Sequence, residues 1–214
     1  MRYPELKEKK LAEFTGIMLG DGSIGEYECK KGDGTTNTQR SVAVTLSSEE
    51  EEFSEYVISL FNDLFNISPA IREKKNENVI EIRSFRKNLF NFLTKDLVLK
   101  VSPKWDRAKI PEIYENDDHR REVLRGYFDT DGSVVLTDNN GTLYPRLEMK
   151  ISPSPMQNQF VEILEKENFN FGNYDIGKRK VRIQMNGKTQ LQKWLNEIGF
   201  ANRKHLNKAE KALN

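Results

Sequence analysis

Two aspartates stand at the same place in two similar stretches of the chain. Asp21 is the eighth residue of FTGIMLGDGSIG, which begins at Phe14, and Asp131 is the eighth residue of LRGYFDTDGSVV, which begins at Leu124. Each aspartate is predicted to lie at the C-terminal end of a helix, where the helix dipole disfavours a carboxylate. A bound cation would offset this cost, and magnesium is the usual cation for an oxygen site beside a phosphate.

A purely structural role for the two aspartates is the first alternative. Glycine after a helix commonly ends it, so a single Asp-Gly-Ser is typical of a simple turn, whereas two copies at equivalent positions favour shared chemistry. The run from Asp129 to Gly132 also resembles the start of an EF-hand calcium loop. That loop requires glycine where Val134 stands and glutamate where Asn140 stands, which excludes it.

The elements that must position the aspartates also occur twice, at a spacing of about one hundred residues. After each motif come an alternating strand and an amphipathic helix, and then a second strand and a short helix. Each half is therefore predicted to have the order α-β-β-α-β-β-α, and the fold class is α+β. We predict an N-terminal repeat over 1–104, a linker over 105–120 and a C-terminal repeat over 121–214. Hairpin turns are predicted at 31–34, 76–78, 138–141 and 177–178.

The helices that lead into the two aspartates, here called the motif helices, carry small residues one turn apart. These residues are Gly16 and Gly20 in the first helix and Gly126 and Thr130 in the second. Short side chains let two helix backbones approach closely, so the motif helices are predicted to pack on each other. That packing would bring the two carboxylates together, where each raises the cost of charging the other.

Charge is segregated along the sequence although the formal net charge is only +1. Residues 171–214 contain ten basic and three acidic side chains, whereas residues 46–66 contain six acidic side chains and no basic one. A basic surface on one side of the molecule is therefore predicted, which suits a polyanionic partner. The alternative is that these segments are the solvated faces of an ordinary charged protein.

One cysteine and two histidines limit the chemistry of the chain. Because Cys29 is the only cysteine, the chain has no internal disulfide. Cys29, His119 and His205 are three residues, one too few for a four-ligand zinc site of cysteine and histidine. Neither histidine lies in a recognisable nucleophile context, which disfavours a serine or cysteine hydrolase. No apolar run reaches the roughly 18 residues of a membrane helix, and the charged start is unlike a signal peptide, so we expect no membrane association and a cytoplasmic, intracellular location.

Both motifs resemble the signature of the LAGLIDADG homing endonuclease family, in the single-chain form that carries two motifs. FTGIMLGDGS and LRGYFDTDGS match the ten-residue signature at the glycine, the aspartate and the following Gly-Ser. The resemblance covers nearly the whole chain, because the order of elements after each motif also fits. The link AKIPEIYENDDHRREVLRGYFDTDGSV additionally resembles the approach to the second motif in endonuclease domains embedded in inteins.

This resemblance implies a site-specific endonuclease that acts as a monomer on a long, asymmetric duplex DNA target. Two four-stranded antiparallel sheets would form a saddle along the DNA, with the motif helices at its centre. A divalent metal, Mg²⁺ with Mn²⁺ as a substitute, would activate water and stabilise the leaving oxygen on both strands. The alternative is a nucleic-acid-binding protein that no longer cuts, either a splicing helper with host intron RNA as a partner or a regulator. Retention of both aspartates argues against that alternative.

The resemblance also assigns the metal ligands. They would be the carboxylates of Asp21 and Asp131 with the backbone carbonyls of Gly20 and Thr130. Asp129 stands where the first motif has Leu19, so we expect it to stabilise the end of its helix and not to bind metal.

Basic residues around the site would polarise water and neutralise charge on the phosphate. Lys104 and Lys204 are the candidates, because they follow the last predicted helix of each half at matching positions, and Lys109 is a second choice. The strand ends where some relatives carry glutamine or lysine carry Ser47 and Ser152 in this chain.

Strand alternation predicts which side chains face the DNA. In PRLEMKIS the apolar Leu147, Met149 and Ile151 would face the core, which leaves the intervening side chains on the opposite face. The same reasoning on the other strands gives the predicted DNA-binding residues Arg72, Lys74, Arg83, Arg146, Lys150, Lys180, Arg182 and Gln184. Arginine and lysine bind phosphates or guanine edges, and glutamine reads adenine.

Overall fold

The computed structural model describes residues 3–30, 32, 34–115 and 118–214. The N-terminal half contains a helix, two strands, a helix, two strands and a helix. In chain order these are α1 Lys9–Leu19, β1 Gly22–Lys30, β2 Thr36–Ser47, α2 Glu51–Phe65, β3 Ala70–Lys74, β4 Val79–Ser84 and α3 Lys87–Asn91. A π-helical stretch, Phe92–Asp96, continues α3. None of the helices in the described ranges is both long and apolar enough to cross a bilayer.

The C-terminal half repeats this order and adds one helix. A short helix, α4 Glu112–Glu115, precedes it, and then come α5 Arg120–Asp131, β5 Gly132–Asn139, β6 Thr142–Ile151, α6 Pro155–Lys166, β7 Gly172–Asp175, β8 Val181–Asn186, α7 Lys188–Glu197 and α8 Arg203–Leu213. The predicted α+β fold of two similar halves is confirmed. Helix α8 goes beyond the predicted order, and α5 begins at Arg120, inside the segment predicted as linker.

Each half forms one four-stranded antiparallel sheet. The strand orders are β1-β2-β4-β3 and β5-β6-β8-β7, so the two sheets have the same topology. Gly22 pairs with Val44 in the first sheet and Gly132 pairs with Met149 in the second, which places the residue after each motif aspartate at the start of a ladder. Leu147, Met149 and Ile151 are buried as predicted, because side chains alternate between the two faces of a strand.

The hairpin turns follow the predicted positions in the described ranges. Asn78, Asn140 and Lys178 have positive φ, as tight turns between antiparallel strands often require. Residues 31 and 33 of the turn predicted at 31–34 lie outside the described residues.

The motif helices, α1 and α5, pack backbone to backbone along a contact that we call the seam. A Cβ atom built on Gly16 would lie 2.1 Å from the carbonyl oxygen of Val123, and one built on Gly126 would lie 2.1 Å from the carbonyl oxygen of Glu13. Both distances are far shorter than any real carbon–oxygen contact, so only glycine permits this approach. The predicted packing of the motif helices is confirmed.

A buried ion pair crosses the seam between the middle of α1 and the middle of α5. The carboxylate of Glu13, which is 1% exposed, accepts hydrogen bonds from Arg125 Nε at 3.1 Å and Arg125 Nη2 at 2.6 Å. The hydroxyl of Tyr56 donates to the same carboxylate at 2.7 Å. Two parallel bonds to one guanidinium fix orientation as well as distance, so this contact sets the register of α1 against α5.

Gly16→Ala tests the seam directly. In an exposed helix this change usually stabilises a protein by about 0.5–1 kcal/mol. Here the added methyl group meets backbone that cannot move aside, so we expect a loss of about 1–3 kcal/mol or more in the free energy of unfolding. Chemical denaturation measures this difference. Gly32→Ala is the matched control, because a Cβ at Gly32 meets nothing within 4 Å; equal stability of the two variants would contradict the packing.

Candidate active site

The seam ends at the two motif aspartates. Asp131 is the last residue of α5, and Asp21 follows Gly20, which caps α1. A Cβ built on Gly20 would lie 2.0 Å from Thr130 Oγ1 and 3.4 Å from Asp131 Oδ2. The missing side chain at Gly20 therefore lets the end of α1 lie against the end of α5, and the predicted meeting of the two carboxylates is confirmed.

A cleft with a volume of about 630 Å³ opens over this end of the seam. Both carboxylates line it, together with three lysine side chains and several small hydroxyl groups. These residues include Asp21, Asp131, Lys104, Lys150, Lys180, Ser23, Ser102, Ser152, Tyr127 and Trp105. The cleft thus combines two acids that can hold a cation with bases that can hold a phosphate.

The carboxylates are costly to charge in this position. Burial, then the charge of Asp131 and then that of Glu50 raise the pKa of Asp21 to about 7, although Lys104 and Lys204 oppose the rise. Burial also raises the pKa of Asp131, against the opposing charges of Lys104 and Lys180. The neighbouring cations therefore only partly compensate the two acids, and an added cation would favour their charged forms.

Lys104 caps the C-terminal end of α1. Its Nζ donates to the backbone carbonyls of Met18 at 2.6 Å, Gly20 at 2.7 Å and Gly22 at 2.6 Å. These carbonyls include groups that a helix end leaves unpaired, and a lysine there also suits the dipole. Burial lowers the pKa of Lys104 to about 8, and the charges of Asp131 and Asp21 oppose that shift. The predicted ligand Gly20 thus shares its carbonyl with this ammonium group.

Lys204 occupies a different environment despite its matching place in the sequence. It lies in the first turn of α8, its side chain is half exposed, and its Nζ is 3.2 Å from Glu50 Oε1. The same Glu50 oxygen accepts from Asn202 Nδ2 at 2.9 Å. Lys204 and Glu50 both influence the pKa of Asp21, in opposite directions. Lys109, the second choice, instead pairs with Glu112 at 2.9 Å on the surface.

Asp129 ties the end of α5 to the segment before α8. The carboxylate is 1% exposed and accepts from the backbone N–H of Ala201 at 2.7 Å. Asn202 Nδ2 donates to the backbone carbonyl of Asp129 at 2.9 Å. The structure places Asp129 in the helix-end position that the sequence predicted.

Tyr127, Glu50 and Asn202 are site residues that sequence reasoning missed. Tyr127 is 2% exposed under the cleft, and burial followed by the charges of Asp131 and Asp21 raises its pKa well above its usual value. Its place in the motif corresponds to Ile17, so it had the pattern of a core residue. Glu50 and Asn202 come to the site from segments distant in sequence, and no local sequence pattern indicates that they belong to it.

The predicted DNA-binding residues that lie within strands share matching faces of the two sheets. Arg72 pairs with Glu81 in the ladder, and Arg83 lies two residues further along the same strand, so the three share a face. In the second sheet Lys150 pairs with Arg182. Arg146, Glu148 and Gln184 lie on this same face by register.

Acidic neighbours orient Arg83, Arg146 and Arg182 on these faces. Arg83 Nη2 is 2.7 Å from Glu81 Oε1, and Arg146 Nε donates to Glu148, which is also 3.6 Å from Arg182 Nη1. Lys74 pairs with Glu77 at 3.3 Å. Lys180 immediately precedes β8 and lines the cleft near Asp131, and its contact with DNA stays a prediction.

A model of the LAGLIDADG DNA endonuclease family matches residues 13–189, a span that includes both motifs and both sheets. The chain belongs to the LAGLIDADG DNA endonuclease family. The matched span contains the acid-tipped end of each seam helix and the sheets of both halves.

Curated relatives of this LAGLIDADG chain match it over small parts of their own length. A DNA polymerase of Thermococcus kodakarensis is 30% identical over 129 residues, which is 57% of this chain and 7% of that protein. A DNA polymerase of Thermococcus aggregans is 25% identical over 138 residues, which is 61% of this chain and 7% of that protein.

Solved LAGLIDADG structures share the fold at low identity. Mesophilic variants of the homing endonuclease I-DmoI have a TM-score of 0.62 and 15% identity, with 89% of this chain and 95% of that chain covered. I-SmaMI bound to uncleaved DNA target with calcium ions has a TM-score of 0.65 and 13% identity, with 94% of this chain and 90% of that chain covered.

Asp21→Asn tests whether the buried charge of Asp21 destabilises the folded protein. Removing a desolvated acid beside a second acid should raise the melting temperature in metal-free buffer by about 2–4 °C, the shift that about 1 kcal/mol gives in a chain of this size. Magnesium should reduce this difference in melting temperature, because it binds and stabilises the wild type more than the variant. Thermal unfolding followed by circular dichroism measures both effects.

Asp106→Asn is the control for that measurement, because the Asp106 side chain is 86% exposed and lies outside the cleft. Its melting temperature should stay at the wild-type value with or without magnesium. An Asp21→Asn variant that melts below the wild type in metal-free buffer would contradict the charge argument.

Proposed function

We propose that this chain is a site-specific DNA endonuclease that makes metal-dependent double-strand breaks in a long asymmetric duplex target. The observation that carries the proposal is the meeting of Asp21 and Asp131 at one end of the seam, one acid from each half. A duplex has two strands to cut, and a chain with two halves offers one acid to each. Because one chain supplies both halves, it acts as a monomer.

The donor set fits a hard divalent cation. Asp21 and Asp131 provide carboxylate oxygens in a cleft where burial already makes their charge costly. Within the described ranges, no three side chains of His, Cys, Asp or Glu cluster as a metal site. Mg²⁺ commonly uses one or two carboxylates and completes its coordination with phosphates and water, so this pair suits it, with Mn²⁺ as a substitute.

When bound there, the metal would activate water and stabilise the leaving oxygen of the cut strand. The chain itself would supply position and charge. Asp21 and Asp131 would hold the cation, with the carbonyls of Gly20 and Thr130 as further oxygen ligands. Lys104 holds the end of α1 in place and contributes positive charge beside the acids.

The two acids have unequal surroundings. Asp131 faces Lys104 and Lys180, whereas Asp21 faces Glu50, Lys104 and Lys204. The extra acid at Asp21 disfavours the approach of a phosphate, so the two strands would be cut at unequal rates. This inequality, together with the different side chains on the two sheets, favours an asymmetric target.

Duplex DNA is the partner that the sheet faces suit. The predicted contacts are Arg72, Lys74, Arg83, Arg146, Lys150, Lys180, Arg182 and Gln184. Neighbouring acids hold the guanidinium groups of Arg83 and Arg146 in fixed orientations, which lowers the entropy lost on binding. I-SmaMI and I-GzeII, which share this fold, were solved with their DNA targets.

A protein on this scaffold that binds nucleic acid without cutting is the second candidate. Such a protein has no use for two like charges at the end of a helix pair, and this chain keeps both. Host intron RNA as a partner stays a prediction.

A randomised duplex library tests the proposal. The protein is incubated with the library and magnesium, and the cut ends are sequenced. We expect a single family of cut sites without two-fold symmetry, and no cutting in EDTA. Binding without cutting would favour the second candidate, and cutting that persists in EDTA would contradict the metal.

Asp21→Asn and Asp131→Asn should each reduce cleavage of the recovered target by about 100-fold or more, a loss typical of a removed group that stabilises the transition state. Binding in calcium should survive, because both substitutions keep the shape of the site. Strand-specific labels distinguish loss at one strand from loss at both. Asp106→Asn should cleave at the wild-type rate. Full activity of the double variant would exclude these acids from the reaction.

A further inference from the structure

Trp105 presents its indole to solvent at the edge of the cleft. Its relative exposure is 73%, the highest of the large hydrophobic residues in the described ranges. The only other tryptophan of the chain, Trp194, is fully buried. Single exposed apolar side chains are ordinary on protein surfaces, but this one lines the same cleft as Asp21 and Asp131.

The segment that carries Trp105 is held rigidly on both sides. Before it, Lys104 Nζ makes three hydrogen bonds to backbone carbonyls at the end of α1. After it, Arg107 Nη2 donates to the carbonyls of Val101 at 3.1 Å and Pro103 at 2.6 Å. The backbone N–H groups of Arg107 and Ala108 both donate to the Lys104 carbonyl, at 3.0 and 2.8 Å. A fixed backbone presents the indole at little entropic cost on binding.

The matching position in the second half carries no such group. His205 follows Lys204 as Trp105 follows Lys104, but it is 1% exposed and packs against Phe128 and Phe200. The exposed aromatic therefore belongs to one side of the site.

We propose that the Trp105 indole is an apolar wedge that enters the minor groove of the target beside one of the two scissile phosphates and partly unstacks the adjoining base step. The inference rests on the proposed function. Lys150 and Lys180 in the same cleft supply the charge that holds the phosphate, so the indole at the edge of that cleft meets sugar and base. Apolar side chains that open a base step from the minor groove bend the duplex and expose more of it to the protein.

The experiment uses the full chain and the duplex recovered from the library. The probe is 2-aminopurine, a base analogue whose fluorescence rises when it is unstacked, placed in turn beside each scissile phosphate. Calcium replaces magnesium during binding so that the duplex stays intact. We expect 2-aminopurine fluorescence to rise when the probe lies beside one scissile phosphate and not when it lies beside the other. The fluorescence of Trp105 should be quenched in the same complex.

Trp105→Ala should abolish the 2-aminopurine signal and weaken binding about 10-fold, within the range measured for removal of an aromatic that stacks on a base. In magnesium it should slow cleavage of the strand next to the wedge more than cleavage of the other strand. Trp105→Phe should retain part of the signal. Val98→Ala is the control, because Val98 is 58% exposed but lies outside the cleft, and it should behave as the wild type.

Two failures are distinguishable. In the first case the wild type cuts its target, and Trp105→Ala binds DNA, cleaves each strand and raises 2-aminopurine fluorescence as the wild type does. The proposal that Trp105 is a wedge is then wrong, and the proposed function stands. If the wild type neither binds nor cuts any duplex of the library, the proposed function fails and the wedge fails with it.

Discussion

The close approach of two helix backbones at Gly16 and Gly126 is the constraint on which the rest of the structure depends. It can form only where both helices lack a side chain, and the ion pair between Glu13 and Arg125 fixes its register. Each half begins its sheet directly after its motif helix, so this one contact also sets where the two sheets lie. The helices end side by side, and their terminal acids must then share one cleft.

The cleft follows from that geometry and from incomplete compensation of charge. Burial and repulsion by Asp131 raise the pKa of Asp21. The ammonium group of Lys104 donates its hydrogen bonds to backbone carbonyls at the end of α1 and not to the acids. Under the proposed function, the two carboxylates would hold a divalent cation, and Lys150 and Lys180, which line the same cleft, would hold a phosphate. Buried, mutually repelling acids cost stability, and natural proteins commonly accept such a cost where function requires it.

Local patterns in the sequence predicted the repeat, the strand faces and the packing of the motif helices, because periodicity and small residues act over a few positions. Contacts across long sequence distances could not be predicted in this way. Glu50 reaches Lys204 over 154 positions, and Lys104 reaches Gly20 over 84. Lys104 and Lys204 match in sequence, yet one caps a helix and the other pairs with an acid, since helix α8 occurs in the second half alone.

Anomalous diffraction from manganese in crystals of the protein with its target duplex tests the central claim most directly. We expect manganese at the end of the seam, coordinated by the carboxylates of Asp21 and Asp131 and by oxygens of the scissile phosphates. In a complex that cuts DNA with Mn²⁺, manganese bound elsewhere, with both carboxylates uncoordinated, would contradict it.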